Sequence, residues 1–273
     1  MPRFSLVIAS LGRTVELEKL LSSLSTQTCR DFEAILVDQN ADDRLWPLYD
    51  RFSRAIRLRR VRHEVGVSGS RNAGLEEAQG EFVAFPDDDC WYPPELLAGV
   101  ASWFEQHPDF VVLAVGAIDE SGEASGNRWF TGRCEIRPLN SLRTTFCSSL
   151  FIRRSGIPDQ VRFDPARSRG EETDFVLRLL KSGGRGYFDR GMHVFHPRRD
   201  MLSGTVSAER AFSYGAGMGS LVRTHRLPGV WAGLVVYDIT RAVLVGVTGH
   251  FSAARNCLTH TKGLIAGYCN GGR

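Results

Sequence analysis

The chain has 273 residues, 42% hydrophobic and 24% charged, enough for a large core and too apolar for a disordered chain. Its net charge of +3 is too small to argue for a nucleic-acid partner. Six cysteines (Cys29, Cys90, Cys134, Cys147, Cys257, Cys269) form no C-x-x-C pair and keep no regular spacing, which suits reduced structural thiols in a cytosolic protein.

Residues 4–9 (FSLVIA) read as a first buried strand; the apolar start is short for a secretion signal and runs into a helix-like segment. Thr14 is placed to cap that helix, with Glu16 and Glu18 in its first turn and Leu17, Leu20, Leu21 and Leu24 along one face. Residues 32–37 (FEAILV) form a second strand ending in Asp38, and residues 39–43 lead into a short helix. The alternating stretch 56–62 (IRLRRVR) suits an edge strand with one exposed face. Residues 66–74 (GVSGSRNAG) read as a glycine-rich turn opening a helix.

Residues 82–85 (FVAF) are a short buried strand that ends in Asp87, Asp88 and Asp89. Three adjacent carboxylates repel unless a cation offsets them, and Mg²⁺ or Mn²⁺ takes oxygen donors. A solvated acidic turn is the alternative, but ligands of open α/β sheets bind at the carboxyl ends of strands, which favours a metal or phosphate site. Pro93 and Pro94 then start a helix over 95–106, and residues 110–117 return to strand character. Residues 119–143 carry few periodic cues and read as loops, whereas residues 145–152 (TFCSSLFI) read as a strand.

Residues 170–174 (GEETD) open a helix whose buried face is expected at Phe175, Val176, Leu179 and Leu180. Glu172 lies near the middle of that face, either as a dipole-stabilised structural acid or as a catalytic one. Asp174 is expected to point to solvent and pair with Arg178. Residues 187–196 end a strand in His196, structural unless other metal ligands converge on it. Strands alternating with helices over the first hundred residues argue for a doubly wound, mostly parallel α/β sheet.

In order and spacing, the first strand and helix, Asp38, GVSGSRNAG, FVAFPDDD, GEETDFVLR and VFHP resemble family two glycosyltransferases of the GT-A fold, over roughly residues 3 to 200. The resemblance implies a Rossmann-like α/β domain over residues 1–200, with a nucleotide-sugar half (1–100), an acceptor half (101–200) and a helical C-terminal segment (201–273). It implies an inverting transfer from a nucleotide-diphosphate sugar, and it extends to bacterial cell-surface polysaccharide enzymes, which the chain also resembles. Donor contacts are then expected from Ser10, Arg13, Asp38, Arg71, Asn72, Asp87 and Asp88. The metal, Mn²⁺ or Mg²⁺, is expected on Asp87, Asp89 and His196. Glu172 falls on the catalytic base, where an aspartate is usual; the glutamate is one methylene longer.

Residues 210–273 hold seven basic side chains (Arg210, Arg223, Arg226, Arg241, Arg255, Lys262, Arg273) against one acid, Asp238. Residues 229–247 are apolar enough to suggest a membrane span, but Asp238 and Arg241 at the centre each cost about 2.5 to 3.5 kcal/mol on an insertion scale. Two readings stay open for residues 205–273: helices packed on the domain, or a basic, apolar helix on the inner face of the cytoplasmic membrane. The second would suit a lipid-linked or cell-surface glycan acceptor. Two other functions are weighed: a sugar nucleotidyltransferase, which would need a glycine-rich, lysine-containing loop that residues 9–16 (ASLGRTVE) lack, and a non-catalytic glycan-binding or scaffolding module.

Overall fold

The computed structural model describes residues 1–125, 132–167, 169–197 and 206–270. The chain divides into two compact units, one of Met1–Pro165 with Phe175–Arg198 and one of Ala166–Asp174 with Arg199–Arg273.

The first unit is built on a mixed sheet of eight strands: β1 (Phe4–Ser10), β2 (Phe32–Asp38), β3 (Arg57–Arg62), β4 (Phe82–Ala84), β5 (Val112–Ile118), β6 (Arg133–Ile136), β7 (Leu150–Arg153) and β8 (Gly186–Phe195). Their order across the sheet is β3-β2-β1-β4-β7-β5-β8-β6. The half formed by β3, β2, β1 and β4 is wholly parallel. In the other half β5 and β8 run parallel, while β7 and β6 are antiparallel to their neighbours.

Both faces of the sheet are covered, which is why its strands read as unbroken apolar runs. Leu6, Ile8, Leu36 and Phe82 pack on one face, with the leucines of α1 (Val15–Ser25) and Phe104 of α4 (Leu96–Gln106). On the other face Val7, Ile35, Val83 and Phe85 meet Leu75 of α3 (Val67–Glu77) and Phe175 of α6 (Glu171–Lys181). A short α2 (Trp46–Phe52) precedes β3, which lies at the sheet edge as its alternation predicts. A one-turn α5 (Ser141–Thr144) precedes β7.

The structure corrects several local expectations. Residues 66–74 are not a long turn: α3 begins at Val67 and runs through Gly69 and Gly74. A Cβ on Gly74 would sit 2.2 Å from Val7 Cγ1, so this glycine serves close helix–strand packing rather than a turn. Within 119–143, where loops are expected, β6 pairs with β8; residues 126–131 lie outside the described residues. With four residues and only Ile136 buried, β6 carries almost no pattern. The strand expected over 145–152 is confined to β7, because Cys147–Ser149 turn as a 3-10 segment. Thr14 precedes α1 but makes no side-chain cap, leaving the buried leucines to hold that helix.

The second unit contains α7 (Ala208–Thr224), α8 (Pro228–Val247) and α9 (Phe251–Asn270). It also includes the first turn of α6.

Candidate active site

Because β1, β2 and β4 run parallel, their carboxyl ends emerge on one edge of the sheet. Ser10 and Asp38 close β1 and β2 in register, and β4 reaches the same edge through Phe85 and Pro86 before the three aspartates. Phe85 is anchored by edge contacts with Phe163 and Phe175, so the acids leave a fixed point.

The three carboxylates have different partners. Asp88 accepts from Ser10 Oγ at 2.8 Å and from the Arg13 guanidinium, which ties the loop after β1 to the acidic turn. Burial pushes the Asp88 carboxyl above the usual carboxylate range, and Arg13 and Ser10 offset only part of this. Asp87 and Asp89 instead direct one oxygen each toward His196. Its Nε2 lies 3.4 Å from Asp89 Oδ1 and 3.9 Å from Asp87 Oδ2. Their other oxygens face arginines: Arg71 donates to Asp87 Oδ1 at 2.9 Å, and Arg13 lies 3.1 Å from Asp89 Oδ2.

His196 is fixed from behind. Its Nδ1 is 2.8 Å from the Pro197 carbonyl, which can only accept, so Nδ1 carries the proton. Ser125 Oγ lies 3.1 Å from the same nitrogen, and Phe146 packs edge-on against the ring. In the neutral ring Nε2 therefore turns a lone pair toward the two carboxylates. One ligand atom from each of Asp87, Asp89 and His196 lies within 4.8 Å of the others. Two carboxylate oxygens and an imidazole nitrogen converging in this way fit a divalent cation such as Mn²⁺ or Mg²⁺.

Asp38 stands at the end of β2 as expected, but it is fully buried and heavily engaged. Oδ1 accepts from the Asn40 backbone at 2.9 Å and its side chain at 2.8 Å; Oδ2 accepts from Arg60 Nε at 2.9 Å and Nη2 at 2.6 Å. These donors fill the acceptor capacity of the carboxylate. Burial alone would raise its pKa, but the bonds from Asn40 and Arg60 outweigh that and hold it below the usual range. Asn72, the neighbour of Arg71, clamps the backbone of Phe163: Nδ2 donates to the carbonyl and Oδ1 accepts from the N–H, each at 2.8 Å.

Glu172 is buried in the first turn of α6, at the positive end of the helix dipole. The buried face of α6 is broader than its periodicity suggests, with Leu177 fully enclosed and Leu180 only partly so. Asp174 is a correction. It is buried rather than solvent-facing, and His225 Nε2, on the residue that ends α7, lies 2.8 Å from its Oδ1. Fifty-one residues separate the two, so no local spacing could have revealed the pair.

Of the residues expected at the site, the structure brings Ser10, Arg13, Arg71, the three aspartates and His196 into mutual contact, and it adds Arg60, Asn40 and Ser125, for which the sequence carries no expectation. In parallel register Arg60 pairs with Leu36, on the same strand face as Asp38, but nothing local in the sequence specifies that register. Ser125 lies in a stretch without periodicity.

Comparison with known proteins places these residues in context. The sequence model of the glycosyl transferase family 2 matches residues 5–156. An uncharacterized glycosyltransferase of Haemophilus influenzae is 32% identical over 227 residues, covering 77% of this chain and 74% of its own length. The GalNAc(5)-diNAcBac-PP-undecaprenol beta-1,3-glucosyltransferase of Campylobacter jejuni is 34% identical over 66% of this chain and 60% of its own length. Among solved structures, Staphylococcus aureus TarS 1-349 in complex with UDP-GlcNAc superimposes with a TM-score of 0.63 at 17% identity, over 97% of this chain and 91% of that one. Mannosyltransferase PcManGT from Pyrobaculum calidifontis, in complex with GDP-Man and Mn²⁺, gives 0.66 at 15% identity, over 99% and 87%. At these identities the two structures speak for the fold, which is of the GT-A type.

Proposed function

Because the chain belongs to glycosyl transferase family 2 and is a glycosyltransferase, we propose that it moves a sugar from a nucleotide-diphosphate donor to an acceptor hydroxyl by a single inverting displacement. The observation that carries this reading is the convergence of Asp87, Asp89 and His196 at the carboxyl edge of the parallel strands. Family membership displaces the nucleotidyltransferase and non-catalytic alternatives. A nucleotide-sugar donor is supported by the UDP-GlcNAc and GDP-Man held by two structural neighbours.

In this reading Asp87, Asp89 and His196 hold the divalent cation, which when bound offsets charge on the leaving diphosphate. Arg71 and Arg13 hold the outer oxygens of the two carboxylates, and each turns its other oxygen toward His196. Asp88 holds Ser10 and Arg13 beside the donor. Asp38, its oxygens already filled, holds Arg60 and Asn40 at the base end, while Asn72 clamps Phe163, which packs against Phe85 and Arg71 beside the acidic turn. Glu172 takes the proton from the acceptor hydroxyl as the new bond forms. We assign donor binding to the first hundred residues and acceptor binding to residues 101–200. The Campylobacter relative acts, by its name, on an undecaprenol-linked glycan, which supports a lipid-linked or cell-surface glycan acceptor here and a cytoplasmic enzyme working at a membrane surface.

Calorimetry with UDP and GDP, with and without Mn²⁺, tests the core of the proposal. Asp89→Ala should abolish the metal-dependent part of nucleotide binding. Unchanged affinity in that variant with Mn²⁺ present would remove the assignment.

A further inference from the structure

Helix α8 has its polarity inverted. Every exposed position on it is uncharged, including Val236, Ile239, Val243, Leu244 and Val247, with Tyr237 and Thr240 the larger polar side chains among them. At 100° per residue these positions cover about half the circumference, over a helix about 30 Å long. Its charged residues turn the other way. Asp238 is buried and lies 2.6 Å, through Oδ2, from Nδ1 of His260 on α9, and Arg241 is half-buried. A core helix would be enclosed, whereas only 11% of the most apolar stretch of α8 is buried. A water-facing helix would carry its charges outward.

The rest of this unit is built in keeping. Gly215 and Gly219 of α7 meet Gly263 and Gly267 of α9 at backbone contact, where a Cβ would fall 2.0 to 2.3 Å from a facing carbonyl oxygen. Small-x-x-x-small packing of this kind brings helices together without relying on exclusion of water. The surroundings of α8 are basic: Arg223 and Arg226 are exposed just before it, and Arg255 and Lys262 are exposed on α9. Between residues 210 and 270 the only acid is the buried Asp238.

We propose that the outward face of α8 docks into the interfacial plane of an anionic lipid bilayer, with the exposed arginines and Lys262 at the headgroups. An uncharged face wide enough to sink below the headgroups, together with flanking cations, is what such a surface requires. The helix lies in the plane rather than spanning it. Upright, Asp238 and Arg241 would sit at mid-depth, whereas in the plane both face protein. The inference deepens the membrane-surface location proposed above and rests on it, but its test needs no sugar substrate. Flotation that succeeds while transfer fails would count against the catalytic reading alone.

The experiment is flotation of the full chain with vesicles of phosphatidylglycerol and phosphatidylethanolamine, and with phosphatidylcholine alone. The wild-type chain should float with the anionic vesicles at low salt and much less with the neutral ones. Thr240→Glu, a change at an already exposed polar position, should cut the floating fraction at least tenfold, and Val243→Glu should do the same. Thermal denaturation of each variant should match wild type, which separates lost docking from lost folding. The proposal is overturned if the wild-type chain stays in the bottom fraction with anionic vesicles, or if a folded Thr240→Glu chain floats like wild type. It also falls if light scattering without vesicles finds a dimer that Thr240→Glu dissociates, since the face would then belong to a second copy.

Discussion

At the scale of residues, the three consecutive aspartates divide their work by the donors around them. Asp88, with both oxygens taken by Ser10 and Arg13, is the brace, while Asp87 and Asp89 each keep one oxygen turned toward His196. Arginine suits the outer oxygens because its rigid fork can hold a carboxylate in one orientation. The proposed base, Glu172, is tested by an isosteric change. Glu172→Gln keeps the volume and one acceptor oxygen, replaces the other with an NH2 donor and cannot take a proton, so kcat should fall by about 10² to 10⁴ with donor affinity nearly unchanged. Near wild-type turnover would leave Glu172 a structural acid. The roles of Asp88 and Asp38 were not legible in the sequence, because a carboxylate's neighbours come from strands and loops far along the chain. Ser10 and Arg60 stand 78 and 22 residues from the acids they hold.

Among elements, the site depends on how closely α3 lies on the sheet. Arg71 and Asn72 reach Asp87 and the Phe163 backbone from a helix whose Gly74 has no room for a side chain. Gly74→Ala would place a methyl 2.2 Å from Val7 Cγ1 and 3.1 Å from Val37 Cγ2. It should cost about 1 to 3 kcal/mol of stability through overpacking, read as a lower urea midpoint with an unchanged m-value. No change in midpoint would show that α3 can shift, and that Arg71 is not held by this packing. The strands that build the donor edge were visible as apolar runs because both of their faces are buried. Short β6 was not, since four residues with one buried side chain carry no period.

For the whole molecule, ligand binding and stability are linked. Nucleotide at a hundredfold excess over its Kd adds about 2.7 kcal/mol to the folded state, a rise in Tm of several degrees. If Asp87, Asp89 and His196 hold the cation as proposed, that rise should require Mn²⁺ and disappear in EDTA; an equal rise in EDTA would separate nucleotide binding from the metal cluster. The sequence by itself determined the order of the strands and helices of the first unit apart from β6 and α5, the α/β class and the family, because periodicity and motif spacing are local properties of a chain. It also placed the acids at the end of a strand. Only the tertiary structure decided which atoms converge: His196 turning Nε2 to Asp87 and Asp89, Arg60 occupying Asp38, and Asp174 buried against His225. It decided as well that α8 turns its charges inward and its apolar side chains outward. Composition records how many charges a helix has, but the direction they face depends on which partner it packs against, and that is set by contacts between residues far apart in sequence.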